Sequence, residues 1–270
     1  RAQGEKHIQQ RKWPTIVSNS KARNAQETSG RKKSAISHKK QELSQRLSEL
    51  YIPETIHPKF AMHGVETKQT LVTISDGTIG YDKKNPILRE LSFSIKARDR
   101  IAIGGNNGSG KSTLLRAILD NPSVIKTGNW TVPHAYEIGY LDQHYTTLSA
   151  DKTVWETISS FFMNKSYTEI REHLNDFLFS KNEEVNALVS TLSGGEKARL
   201  SLAQIAAMMP KILILDEMTN NLDRETRAHV MQVLKVYPGA MIVISHDADF
   251  LNAIQVTDRY EIKDGLLSSL

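Results

Sequence analysis

Cysteine is absent from all 270 residues. That excludes a disulfide framework and any metal site that needs a thiolate. It also accords with a cytoplasmic setting, where such frameworks are rare. Long hydrophobic runs are missing as well. The most apolar stretch, Ile212-Leu213-Ile214-Leu215, falls far short of the roughly 20 residues needed to cross a bilayer. The beginning of the chain carries no secretory pattern of basic, apolar and small-residue segments. No internal repeat is visible. What remains is the ordinary apolar and charged content of a water-soluble globular protein, long enough for one large domain with an extension.

Acidic residues are scarce in one place. Residues 1–60 hold 13 Lys and Arg against 5 Asp and Glu, a net charge of +8, whereas the other 210 residues hold 22 against 25. A basic excess confined to one end suits a polyanionic partner, with nucleic acid the simplest, or else a solvated arm. Within that arm Ile36, Leu43, Leu47 and Leu50 recur at helical spacing, which predicts an amphipathic helix over 31–50. Pro53 and Pro58 follow as stops.

From about Val65 the pattern changes. Thr70–Ile74 and Leu91–Ile95 have strand character, and Ile101-Ala102-Ile103 forms a short apolar strand. Ile212–Leu215 and Ala240–Ile244 are apolar without alternation, as in a parallel sheet covered on both faces. Helical patterns lie between them, at Leu114–Leu119, Lys197–Met208 and Arg224–Val236. The order predicts an α/β fold. Residues 144–195, polar and aromatic, are predicted to be a helical insert.

Three short segments carry chemistry. Gly105-Asn106-Asn107-Gly108-Ser109-Gly110-Lys111-Ser112-Thr113 fits the phosphate-loop pattern in full, with a strand before it and a helix after. Its glycines let backbone amides turn toward a phosphate. Lys111 supplies charge to the β- and γ-phosphates, and the Ser112 hydroxyl is placed to ligate Mg²⁺. The positive end of the following helix faces the anion. About one hundred residues later the apolar strand 212–215 ends in Asp216 and Glu217. A carboxylate at that position can hold Mg²⁺, and the next one can act as general base toward water. Leu192-Ser193-Gly194-Gly195-Glu196 opens a helix. A capping box accounts for Ser193 and Glu196. It leaves two adjacent glycines, which weaken a helix, unexplained, and so points to a second anion site.

Taken together these segments resemble the ATP-binding cassette (ABC) ATPases, over about residues 66–270. The resemblance makes LSGGE the signature motif and brings further residues in. Gln143 matches the glutamine that joins the Mg²⁺ shell, with Ser112 and Asp216. His246 matches the switch histidine that contacts the γ-phosphate. Tyr81 matches the aromatic that stacks on adenine, and Asn220-Asn221-Leu222-Asp223 the loop between cassettes. Glu196 in the signature, the stretch IGYLDQHY and the stretch from Asp216 to Asp223 resemble the ABC-F branch, whose members have two cassettes on one chain and no membrane domain. Met218 and Asn221 stand where that branch usually has Pro and His.

The resemblance implies an ABC cassette at 61–270, with a mainly parallel core, an antiparallel β subdomain and the helical insert. Residues 1–60 would be the later part of a basic inter-cassette linker. Arg11, Lys12, Lys21, Arg23, Arg31, Lys32, Lys33, Lys39 and Lys40 would face rRNA or tRNA on the ribosome, with Trp13 either stacked on a base or packed on a helix. The chain would bind ATP with Mg²⁺ and act on translation in the cytoplasm, in one version by protecting the ribosome from an antibiotic. Glu217 and His246 would be catalytic. Ser193, Gly194 and Gly195 would complete the site of a second cassette, either the other half of a longer chain or another copy. Hydrolysis by one cassette alone would then be slow. The alternative is the nucleotide-binding subunit of a membrane transporter. A DNA-repair or chromosome-organising head fits less well, since fewer than one hundred residues separate Lys111 from Ser193.

Overall fold

The computed structural model describes residues 39–40, 56, 58, 60, 69–219 and 222–270. Of the expected basic helix, only Lys39 and Lys40 fall among them; both are helical and exposed. The remaining contact candidates of the arm, Trp13, Asn220 and Asn221 lie outside the described residues. The chain divides into two compact units, Arg1–Pro53 and Glu54–Leu270. The second unit includes Ile56, 2 % exposed in its hydrophobic core, and Phe60, whose ring meets that of Tyr237 edge-on. The unit therefore starts ahead of the boundary expected at residue 60. An isolated isoleucine among polar residues gives no periodic signal of its burial.

Two sheets organise this unit. Strands β1 (Thr70–Gly80), β2 (Leu88–Lys96) and β4 (Ile125–Thr131) make an antiparallel sheet in the order β2-β1-β4. Strands β3 (Arg100–Gly105), β5 (Ile138–Asp142), β6 (Ile212–Asp216), β7 (Ala240–Ile244), β8 (Asp258–Lys263) and β9 (Leu266–Ser269) make the second, in the order β5-β6-β7-β3-β8-β9. Every pairing in it is parallel except β8 with β9.

Its apolar strands divide their residues between two cores. Ile101, Ile103, Ile212, Ile214, Ile242 and Ile244 join one cluster, which also holds helix α1 (Lys111–Ile118) and the antiparallel sheet. Ala102, Leu213, Leu215, Met241 and Val243 join the other, against the remaining helices. Burial on both faces is why β6 and β7 show no alternation. The strands β4, β5, β8 and β9 were not anticipated. Three of them carry many exposed or half-exposed residues, and β5 is five residues long.

The insert holds α2 (Val154–Ser159), α3 (Tyr167–Asp176) and α4 (Asn182–Val185). Its helices are shorter than the expected helical stretch, with turns between them. Capping boxes start two of them: Thr153 with Glu156, and Ser166 with Glu169. Beyond the insert lie α5 (Gly194–Met208), α6 (Arg224–Val236) and α7 (Ala248–Ala253). Arg100, at the start of β3, ties two helix ends together. Its guanidinium donates to the carbonyls of Leu234, Lys235, Tyr237 and Ile254, at the C-terminal ends of α6 and α7. A cation there also meets the negative ends of both helix dipoles.

Candidate active site

The phosphate loop runs from β3 into α1, at the C-terminal edge of the parallel sheet, where open α/β sheets bind ligands. Two of its glycines are required by geometry. Gly105 has φ 136°, and a Cβ there would meet the Ile262 carbonyl at 2.7 Å. Gly110 has φ 110° and lies against Ile87 and Leu88. The first amides of α1 have no carbonyl partner within the helix. Lys111 is buried, and its Nζ donates to the carbonyls of Gly105 at 2.7 Å and Asn106 at 3.0 Å. Its charge is thus held inside the loop. The Ser109 Oγ is buried without a hydrogen-bond partner.

A cavity of about 310 Å³ lies against this loop, lined by Asn107, Gly108, Gly110, Lys111, Ser112, Thr113 and Glu217. The phosphate-loop lysine and hydroxyl and the expected general base, more than one hundred residues apart in sequence, therefore share one space. A larger cavity of about 550 Å³ opens between Asn106–Ser109 and the β8–β9 turn. It contains neither Lys111, Ser112 nor Glu217, so the smaller cavity is the one lined by residues expected to handle phosphate. Glu217 has φ 50°, and its amide donates to the Ile244 carbonyl at 2.9 Å. This bond and the left-handed backbone turn the residue out of the strand direction at the mouth of β6.

Asp216 ends β6 half-buried. Burial raises its pKa, the Tyr140 hydrogen bond opposes the rise, and the charges of Glu217 and Asp142 add to it. The Tyr140 hydroxyl donates to Asp216 Oδ2 at 3.1 Å. Burial and the neighbouring Asp216 carboxylate push the Tyr140 phenol upward, so it is protonated and a donor at neutral pH. Tyr140 was not among the expected site residues. It stands inside the quoted stretch IGYLDQHY, but its partner is 76 positions away.

Tyr81, Gln143, His246 and Ser193 to Gly195 do not line this cavity. Tyr81 follows β1 and is 46 % exposed. Arg116, on α1, donates to its hydroxyl at 2.8 Å. The hydrogen bond with Thr113 lowers the phenol's pKa most, burial opposes it, and Arg116 lowers it further. The ring is thereby held beside the first turns of α1. Gln143 follows β5, with its Nε2 2.8 Å from His144 Nε2. His246 is exposed on the loop after β7. That loop is fixed by Ser245 Oγ, which accepts from the Asp247 amide, and by an Arg227–Asp247 ion pair of 2.6 Å.

Ser193, Gly194 and Gly195 open α5. Ser193 and Glu196 form the expected capping box, which holds the Glu196 carboxyl below its usual pKa chiefly through the Ser193 side chain. One of the two glycines has a packing reason after all. A Cβ on Gly195 would meet Thr226 Oγ1 at 2.7 Å, so close approach to α6 explains this glycine. A Cβ on Gly194 would meet nothing within 4 Å. Only Gly194 lacks a packing reason.

The donors suit a nucleotide with a hard cation. Ser112 and Asp216 offer oxygen, as Mg²⁺ requires, and the glycine cradle with Lys111 suits a polyphosphate. Among the described residues no group of three or more His, Cys, Asp or Glu could hold a metal, so hydroxyl, amide, water or phosphate oxygens would have to complete the coordination.

Comparison with known proteins bears on the family and the fold. The family model described as ABC transporter matches residues 88–220. The chain is 37 % identical over 193 residues to the putative ATP-binding protein YdiF of Bacillus subtilis, covering 70 % of this chain and 29 % of that one. It is 34 % identical over 178 residues to mouse ATP-binding cassette sub-family F member 3, covering 64 % and 24 %. The chain thus spans less than a third of the length of these relatives. A bacterial Atm1-family ABC exporter with ATP bound has the same fold, with TM-score 0.60 and 22 % identity over 83 % of this chain and 42 % of that one.

Proposed function

The chain belongs to the ABC-F branch of the ATP-binding cassette ATPases, and from that premise we propose that residues 61–270 bind and hydrolyse ATP to control attachment to the ribosome. The observation that carries the ATP part is the single cavity shared by Lys111, Ser112 and Glu217. Lys111 exchanges its loop carbonyls for the β- and γ-phosphates. Gly105 to Gly110 and the amides of α1 cradle the phosphate chain, and Thr113 adds a hydroxyl. Tyr81 stacks on the adenine. Ser112, Gln143 and Asp216 would hold Mg²⁺, which would supply positive charge to offset the charge that develops on the phosphate. Glu217 takes the proton of the attacking water, and His246 contacts the γ-phosphate.

Cassettes of this family work in pairs. Ser193, Gly194 and Gly195 lie outside the cavity of their own cassette, which suits a role in closing the site of a second one. Hydrolysis by this chain alone is then slow. The closed pair is the form held by the γ-phosphate, and hydrolysis releases it. The basic residues of 1–60 supply sequence-independent attraction to RNA phosphates. The sub-family F relative and this basic arm weigh against a transporter subunit. Among the described residues no helix is long and apolar enough to cross a membrane.

The test is ribosome co-sedimentation of the two-cassette protein carrying Glu217→Gln and the matching change in its other cassette. Loss of a general base slows hydrolysis about 10²–10⁴-fold and should trap the closed state. ATP-dependent pelleting with ribosomes supports the reading. A protein that binds ATP yet stays in the supernatant refutes the ribosomal part and leaves the nucleotide site standing.

A further inference from the structure

We propose that Tyr140 is a positioning residue for Asp216: its hydroxyl fixes one carboxylate oxygen and leaves the other presented to the cation of the nucleotide site. The inference rests on the reading of that site as one for ATP with a divalent cation. Strands β5 and β6 run parallel with Tyr140 opposite Ile214 and Asp142 opposite Asp216. Tyr140, Ile214 and Asp216 therefore share one face of the sheet. From there the phenol reaches one step forward along the face, and its hydroxyl donates to Asp216 Oδ2 at 3.1 Å.

The ring is held by packing. Tyr140 lies half-buried against the cluster that contains Ile214 and Ile244. A phenol seated this way needs a partner for its hydroxyl, and here the partner is the carboxylate. The carboxylate has about four lone-pair sites and can turn about its own side-chain bond. Among the described residues, Tyr140 is the one side chain whose hydrogen bond to Asp216 is resolved. Removing the hydroxyl frees that rotation while leaving the ring in place. Partners that orient a metal ligand change metal affinity by about 10–100-fold when lost. Asp216 is partly open to water, which can replace part of the hydroxyl, so the lower end of that range, about tenfold, is expected.

The experiment uses the 270-residue chain as wild type, Tyr140→Phe, Asp216→Asn and the double variant. Mn²⁺ serves as the probe, and its binding in the presence of ATP is read by electron paramagnetic resonance. Fluorescent ATP binding in a chelator is read in parallel. Tyr140→Phe should bind ATP without cation as the wild type does, and should need about tenfold more Mn²⁺ for half-saturation. In the Asp216→Asn background the same change should add nothing further. Unchanged Mn²⁺ binding by Tyr140→Phe overturns the inference. So does an equal loss in the Asp216→Asn background, since the effect would then act through packing. If the wild-type chain binds no Mn²⁺ with ATP, the nucleotide-site reading itself falls and takes this inference with it, an outcome distinct from the other two.

Discussion

Alanine at Gly194 and at Gly195 should have opposite consequences, although the two residues are neighbours at the start of one helix. Both occupy the first turn of α5, where alanine would ordinarily gain part of the roughly 1 kcal/mol by which it is favoured over glycine in a helix interior. At Gly194 a new Cβ meets nothing within 4 Å, so Gly194→Ala should be neutral or stabilising by a few tenths of a kcal/mol. At Gly195 it meets Thr226 Oγ1 at 2.7 Å. Thr226 cannot move aside cheaply. It is 3 % exposed, and its hydroxyl donates to Asp223 Oδ2 at 2.8 Å while its amide donates to Asp223 Oδ1 at 2.9 Å. Overpacking costs about 1–3 kcal/mol, which exceeds the helix gain. Gly195→Ala should lose about 1–2 kcal/mol net. For a domain of this size that lowers the melting temperature by about 2–8 °C. Thermal melts of the two variants beside the wild type, without nucleotide, decide the matter. A Gly195→Ala protein as stable as the wild type would refute the close approach of α5 to α6 as the reason for this glycine.

Three further outcomes follow from other contacts. Arg100→Ala strips four carbonyls at the ends of α6 and α7 of one charged donor. It should cost about 2–4 kcal/mol in urea unfolding, with partial recovery in Arg100→Lys. Tyr81→Ala should weaken ATP binding by about 1–3 kcal/mol, as loss of one base–aromatic stack does, whereas Tyr81→Phe should retain most of it; fluorescent-ATP titration separates the two. Hydrogen bonds from the Thr226 amide, the Thr226 hydroxyl and the Glu225 amide lower the Asp223 pKa, in that order of size apart from an opposing burial effect. A carboxyl with a depressed folded-state pKa stabilises above its unfolded value, about 3.9, and that stability is lost as pH falls through the folded value. The wild type should therefore lose part of its stability below about pH 4, and Asp223→Asn, which keeps a capping side chain, should show a shallower decline over the same range.

Much of the candidate site was legible in the chain because its devices are local. The phosphate loop needs glycines, a lysine and a hydroxyl at fixed spacing within nine residues. The capping box of α5 spans three positions. The apolar strand ending in Asp216 and Glu217 announces itself by burial on both faces. The architecture was legible to the same degree: the parallel core and α6 fell where the pattern placed them. The strands β4, β8 and β9 did not, since edge strands with exposed residues lack that pattern.

The sequence by itself determined which residues can hold phosphate, accept a proton or cap a helix, because those abilities depend on side-chain type and on neighbours a few positions away. Tertiary structure alone decided which of these residues meet. It set Glu217 in the cavity of Lys111 and Ser112, Tyr140 on Asp216, Gly195 under Thr226, Arg100 across two helix ends and Ile56 in a core that its flanking residues do not foretell. The strand order β5-β6-β7-β3 is the physical reason. It brings together segments tens to more than one hundred residues apart, and no local spacing in the chain records that order.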